Sequence, residues 1–113
     1  MYYTYIMRCE GDKLYTGITT NIVRRFSEHA SRNGRGAKFT RSHKVSSVAA
    51  LWSSSDRSTA SRLEYRIKQL TRKQKLALID GLEDINELFG AELAEKCRRE
   101  PVPSLTITPR VTE

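Results

Sequence analysis

Residues 1–17 read MYYTYIMRCEGDKLYTG. Two runs rich in tyrosine and threonine flank Glu10-Gly11-Asp12. Aromatic and β-branched residues suit a pleated, half-buried surface, and Gly with Asp supplies turn chemistry. The pattern predicts strands over residues 2–8 and 13–18, joined as a hairpin. Side chains alternate along a strand, so Tyr3 and Tyr5 share a face. Tyr15 lies across from that region on the second run. Gly17, two residues on, leaves a gap on the same face. Cross-strand aromatic packing would account for the tyrosines. Two hydroxyls beside a gap would also let a substrate approach the sheet closely.

Beyond the hairpin, Thr19-Thr20-Asn21 offers helix N-caps. From Ile22 the apolar period becomes helical, with Ile22, Phe26 and Ala30 on one stripe. Asn33-Gly34-Arg35-Gly36 ends that helix. Residues 34–44 form a basic, glycine-containing loop, and 45–53 (VSSVAALWS) read as a third strand. The S-S-S-D run at 53–56 caps a long helix whose stripe is Ala60, Leu63, Ile67 and Leu70. Thr71 caps a short helix ending near Gly81. Asp84 with Glu87 forms a capping box for another, with Ile85, Leu88, Phe89 and Leu93 as its apolar face. After Arg99 the chain is rich in Pro, Thr and Val and is expected to lack fixed structure. The expected class is α+β: a three-stranded antiparallel sheet flanked by helices, in the order β-β-α-β-α, with extra C-terminal helices.

At 113 residues the chain suits one domain with one modest core. No apolar run approaches a membrane span, and Arg8, Glu10, Asp12 and Lys13 interrupt any signal-like segment. Cytoplasmic residence is the expectation. Cys9 and Cys97 lack zinc-ligand spacing and read as free thiols. The net charge of +7 favours a polyanionic partner, with nucleic acid ahead of an anionic membrane. Nothing calls for an obligatory protein partner.

Three groups are the candidates for chemistry. Tyr5 and Tyr15 are the first. Arg25 and His29 are the second: at i and i+4 they point the same way, at the edge of the core stripe. A guanidinium there can hold a phosphate bidentately, although a solvated basic face would look similar. Glu64 is the third, the only acid between Asp56 and Asp80. One carboxylate suits a hard divalent ion that keeps most of its waters. A surface pair with Lys68 fits the same spacing. Arg24, Lys38, Arg41, Lys44, Lys68, Arg72, Lys73 and Lys75 are the candidate contacts to a phosphate backbone. His43 reads as a surface or phosphate-contacting group, and Trp52 as core.

The ordered combination resembles the GIY-YIG nuclease superfamily. It comprises an aromatic first strand ending in Tyr, then Tyr-x-Gly, then N-x-x-x-R-x-x-x-H on a helix, then Glu on a later helix. The segments KLYTGITTNIVRRFSEH and DRSTASRLEYRIKQLTRKQK are similar to its small single-domain bacterial-type branch, described as an uncharacterised family. The resemblance covers roughly residues 2–80 and implies a nuclease-like domain over 1–97, with 98–113 as a flexible tail. Tyr5 takes the Tyr of the first motif, and Tyr15 and Gly17 the Tyr and Gly of the second. Arg25 takes the helix arginine, His29 a position that is His or Tyr, and Glu64 the metal-binding carboxylate. Tyr3 and Thr4 stand where the name-giving Gly and Ile would be, and no counterpart is placed for an Asn that some members carry after the Glu. The implied activity is hydrolysis of phosphodiester bonds in DNA with one Mg²⁺ or Mn²⁺ ion. It would be structure- or single-strand-directed rather than sequence-specific, in DNA repair, recombination or uptake. Tyr5 is the first choice of general base, its phenol brought down by Arg25; a metal-activated water that the phenol only orients is the other route. A non-catalytic DNA- or RNA-binding module of the same fold is the alternative.

Overall fold

The structure is a computed structural model that describes residues 1–31 and 44–104. The elements run β1 (Tyr2–Cys9), β2 (Lys13–Thr19), α1 (Ile22–Ser31), β3 (Val45–Ser54), α2 (Arg57–Lys68), α3 (Arg72–Ile79), α4 (Ile85–Phe89), α5 (Ala91–Glu95) and β4 (Cys97–Glu100). The first two strands meet through a single 3-10 turn at Glu10–Asp12. Gly11 at φ 71 takes the left-handed conformation that side chains disfavour.

The sheet is antiparallel in the order β2-β1-β3-β4. It has four strands rather than the expected three. The fourth, CRRE, is too charged to read as a strand from composition. It forms because Leu51–Ser54 of β3 offers an open edge, which Cys97–Glu100 pairs. Arg99 then locks it down: its guanidinium lies 4.9 Å over the Trp52 ring and donates to the carbonyls of Leu78 and Ile79. The expected start of a tail at 98 falls inside this strand. Residues 105–113, the rest of that tail, lie outside the described residues, as does the helix end at 33–36.

Two clusters line the two faces of the sheet. Ile6, Ala50 and Trp52 pack with Leu63 and Ile67 of α2, and with Leu78, Ile85 and Leu93 of the later helices. Burying a Leu or Ile side chain contributes about 1.5–3 kcal/mol, so this stripe anchors α2. The buried Thr4 hydroxyl donates to the Ala60 carbonyl at 3.0 Å and sets the helix's position along β1. The opposite face holds Tyr5, Met7, Cys9, Val48 and Leu51 under Phe26 of α1. Cys9 and Cys97 are free thiols, as expected.

Helix starts follow the caps. Asp56 accepts from the Thr59 N–H at 2.7 Å, and Thr71 with Gln74 forms a reciprocal capping box. Asp84 accepts from Glu87 N–H at 2.9 Å. The helix it opens is shorter than expected. Gly90, at φ 93, breaks the run, so Leu93 belongs to a separate helix. Among the described residues, no helix is long and apolar enough to cross a membrane.

Candidate active site

Strand register builds the centre of the site. Tyr5 pairs with Gly17 on β2, and Met7 pairs with Tyr15. Tyr5, Tyr15 and Gly17 therefore face the α1 side. Tyr5 is 1% exposed and its ring crosses under Gly17. A Cβ at position 17 would sit 2.7 Å from Tyr5 Cζ and overlap the hydroxyl. Glycine is required there by the tyrosine beneath it, not by its backbone angles. The Tyr5 and Tyr15 rings lie 6.1 Å apart in a tilted arrangement.

Helix α1 supplies the next pair. Asn21 starts it by accepting from the Arg24 N–H at 3.1 Å. One turn apart, Arg25 and His29 both turn toward the tyrosines. His29 is 1% exposed, with Nε2 3.1 Å from the Tyr5 hydroxyl. Its ring meets Tyr15 edge-on at 5.0 Å. Arg25 donates to Glu28 Oε1 at 3.2 Å and to Tyr5. The two rings pack, as the cross-strand reading expected, and the Tyr5 hydroxyl meets a histidine and a guanidinium.

The electrostatics correct one expectation. Arg25 does pull the Tyr5 phenol down, by hydrogen bond and by charge, but burial outweighs it. Desolvation disfavours the phenolate, and the charges of Tyr15 and Glu64 add to that, so the phenol sits well above its ordinary range. His29 is pushed the other way. Burial first, then the Arg25 charge, lowers it from 6.5 to about 4, with Glu28 opposing. The imidazole is therefore neutral at neutral pH.

Glu64 comes from α2, which packs on β1 and β2 from the opposite face. Its charge adds, as the smallest of the named causes, to the upward push on the Tyr5 phenol. The expected surface pair is also present: Lys68 Nζ lies 3.5 Å from Glu64 Oε2. Among the described residues, no three His, Cys, Asp or Glu side chains form a metal-ligating group. A hard ion that keeps most of its waters needs only one carboxylate. Glu64 fits that requirement: a quarter of its side chain is exposed, and its partner is a flexible, half-exposed lysine.

The candidate backbone contacts divide. Lys68 and Lys75 line a hollow of about 320 Å³ with Leu14, Tyr15 and Thr16. Arg24 lines another of about 260 Å³ with Arg25. Arg72 and Lys73 are exposed on the first turn of α3. Lys44 sits at the far end of the sheet, where its backbone N–H donates to Glu10. Lys38 and Arg41, with His43, lie outside the described residues. Sequence reasoning missed Glu28, whose i+3 spacing from Arg25 was the available signal, and Arg57, which shares the Arg24 hollow.

The family model for the GIY-YIG catalytic domain matches residues 1–77. The UPF0213 protein of Cronobacter sakazakii is 44% identical over 80 residues, covering 71% of this chain and 82% of its own. The UPF0213 protein YhbQ of Salmonella arizonae is 41% identical over 90 residues, covering 80% and 88%. A solution NMR structure of the UPF0213 protein BH0048 from Bacillus halodurans is 38% identical over 71% of this chain and 84% of its own, with a TM-score of 0.44. The match spans both tyrosines, Gly17, Arg25, His29 and Glu64, and the chain belongs to the GIY-YIG catalytic-domain family.

Proposed function

We propose that this chain is a nuclease that hydrolyses phosphodiester bonds in DNA, with one Mg²⁺ or Mn²⁺ held by Glu64. Its target is a single-stranded or structured region rather than a particular sequence. The observation that supports this most is the convergence of Tyr5, Tyr15, Arg25 and His29 with the charge of Glu64 acting at the Tyr5 hydroxyl. A lone acid repels phosphate, so a purely binding surface gains nothing by keeping Glu64 in an otherwise basic stretch.

In this reading Arg25 balances charge that builds on the phosphoryl oxygens. Tyr5 keeps its proton in the resting site and donates it to Nε2 of the neutral His29 ring. A water aligned by the phenol attacks phosphorus as the bond to the leaving oxygen breaks, and that oxygen leaves with a proton taken from solvent, which His29 afterwards returns. The water's proton passes to the Tyr5 oxygen while the phenol proton passes to His29, so no free phenolate forms. The half-buried Tyr15 packs against His29 and holds the ring in line. A bound divalent ion would supply Lewis-acid charge at the phosphate.

The test is incubation of labelled single-stranded, duplex and flapped DNA with Mg²⁺, Mn²⁺ or EDTA. Wild type should cut in either metal and stop in EDTA, and Glu64→Ala should be inactive. Binding without cutting would instead identify a non-catalytic nucleic-acid module. Normal cutting by Glu64→Ala would overturn the metal assignment.

A further inference from the structure

Strands β2 and β3 end, and β1 begins, at the same edge of the molecule. Helices α1 and α2 start from there on opposite faces. Between their first turns lies the hollow of about 260 Å³, whose lining includes Tyr2, Thr20, Arg24, Arg25, Glu28 and Arg57. It holds three guanidinium groups against one carboxylate, and Glu28 is already engaged by Arg25.

This placement works against the fold. A helix N-terminus carries partial positive charge, which disfavours a cation and favours an anion there. Neither first turn contains an acid. Asp56, the N-cap of α2, offsets part of this at that helix, with its oxygens on the N–H and hydroxyl of Thr59 at 2.7 and 3.1 Å, whereas α1 has no acid in its first turn. Arg24 and Arg57 are exposed, so packing does not explain them. A bound anion would relieve both the mutual repulsion and the dipole conflict. Arg25 connects the hollow to the chemistry, since the same guanidinium lines it and reaches Tyr5.

We infer that this hollow is a second phosphate subsite, in which Arg57 and Arg24 hold the backbone phosphate next to the scissile one. The inference rests on the nuclease reading for the identity of the neighbouring phosphate. The subsite fixes the register of the strand, so that Arg25 meets the correct phosphodiester.

Fluorescence anisotropy with a labelled single-stranded oligonucleotide in EDTA, over a salt series, tests it without cleavage. Each phosphate contact on a single strand adds about 0.7 to the slope of log Kobs against log salt. Arg57→Ala should flatten the slope by about that amount, and Arg57→Lys should retain it. Arg98→Ala, which removes the same charge from an exposed position on β4, should leave it unchanged. In a cleavage assay Arg57→Ala should raise KM and leave kcat within a few-fold. Equal slopes for wild type and Arg57→Ala, or equal flattening by Arg57→Ala and Arg98→Ala, overturn the subsite. If wild type binds but does not cut, a flattened Arg57→Ala slope still supports a phosphate subsite while the nuclease reading fails.

Discussion

Acidification from pH 7 to pH 5 should destabilise this protein through His29. An unfolded histidine has a pKa near 6.5, and burial with the Arg25 charge lowers that of His29 to about 4 in the fold. Between these values the unfolded chain holds a proton that the folded chain lacks. Stability therefore rises with pH across this window, is complete above about 6.5, and is lost as pH falls toward 4. At pH 5 the unfolded site is almost fully protonated and the folded site almost fully neutral, which costs about 2 kcal/mol relative to pH 7. With a urea slope of 1–3 kcal/mol per molar, the midpoint should fall by about 1 M. The measurement is urea unfolding at pH 7 and pH 5 for wild type and His29→Gln. The variant has its own stability, so only the pH difference within each protein is compared. His29→Gln should lose most of the pH dependence. Arg25→Ala, which removes the second cause of the shift, should reduce it. Indistinguishable pH dependences for wild type and His29→Gln would refute the assignment of a buried neutral imidazole.

Gly17→Ala places a methyl group against the Tyr5 ring, which is buried and has nowhere to yield. Overpacking of this kind costs about 1–3 kcal/mol, so the melting temperature should drop by at least about 4 °C; an unchanged melt would remove the steric argument. Arg25→Ala should lower cleavage by about 10²–10³-fold, the loss typical of one oxyanion donor, while oligonucleotide binding weakens far less; parallel losses in both would make Arg25 a binding group only. Arg99→Ala removes the contact with Trp52 and two donors to the end of α3, and should cost about 1–3 kcal/mol in urea unfolding. Amide exchange at residues 97–100 should speed up in that variant, and unaltered protection there would show that β4 does not depend on the Arg99 lock.

Much was written locally. The β1–β2 hairpin, the caps at Asp56, Thr71 and Asp84, and the stripe of Ala60, Leu63 and Ile67 all rest on interactions between near neighbours. Period and cap chemistry act within a turn or two of chain, so they are legible without the fold. The pairing of Tyr5 with Gly17 follows from the hairpin's length. The fourth strand was not legible, because Cys97–Glu100 has no strand pattern of its own. Its conformation comes from the open edge of β3 and from Trp52, some 45 residues earlier. The Gly90 break was visible as a glycine but not as a helix boundary.

At the site the division is the same. The sequence alone nominated the candidate residues: two tyrosines, Arg25, His29 and Glu64, through their types, their order along the chain and the family resemblance that order carries. It did not determine their ionisation. Arg25 beside Tyr5 suggested a lowered phenol, and only the packed structure showed that burial outweighs the cation. It likewise made His29 a neutral ring facing Tyr5 and brought Arg57 alongside Arg24. Residue type and spacing are local properties of the chain. Desolvation depends on everything packed around a group, and it exists only once distant segments have closed over it.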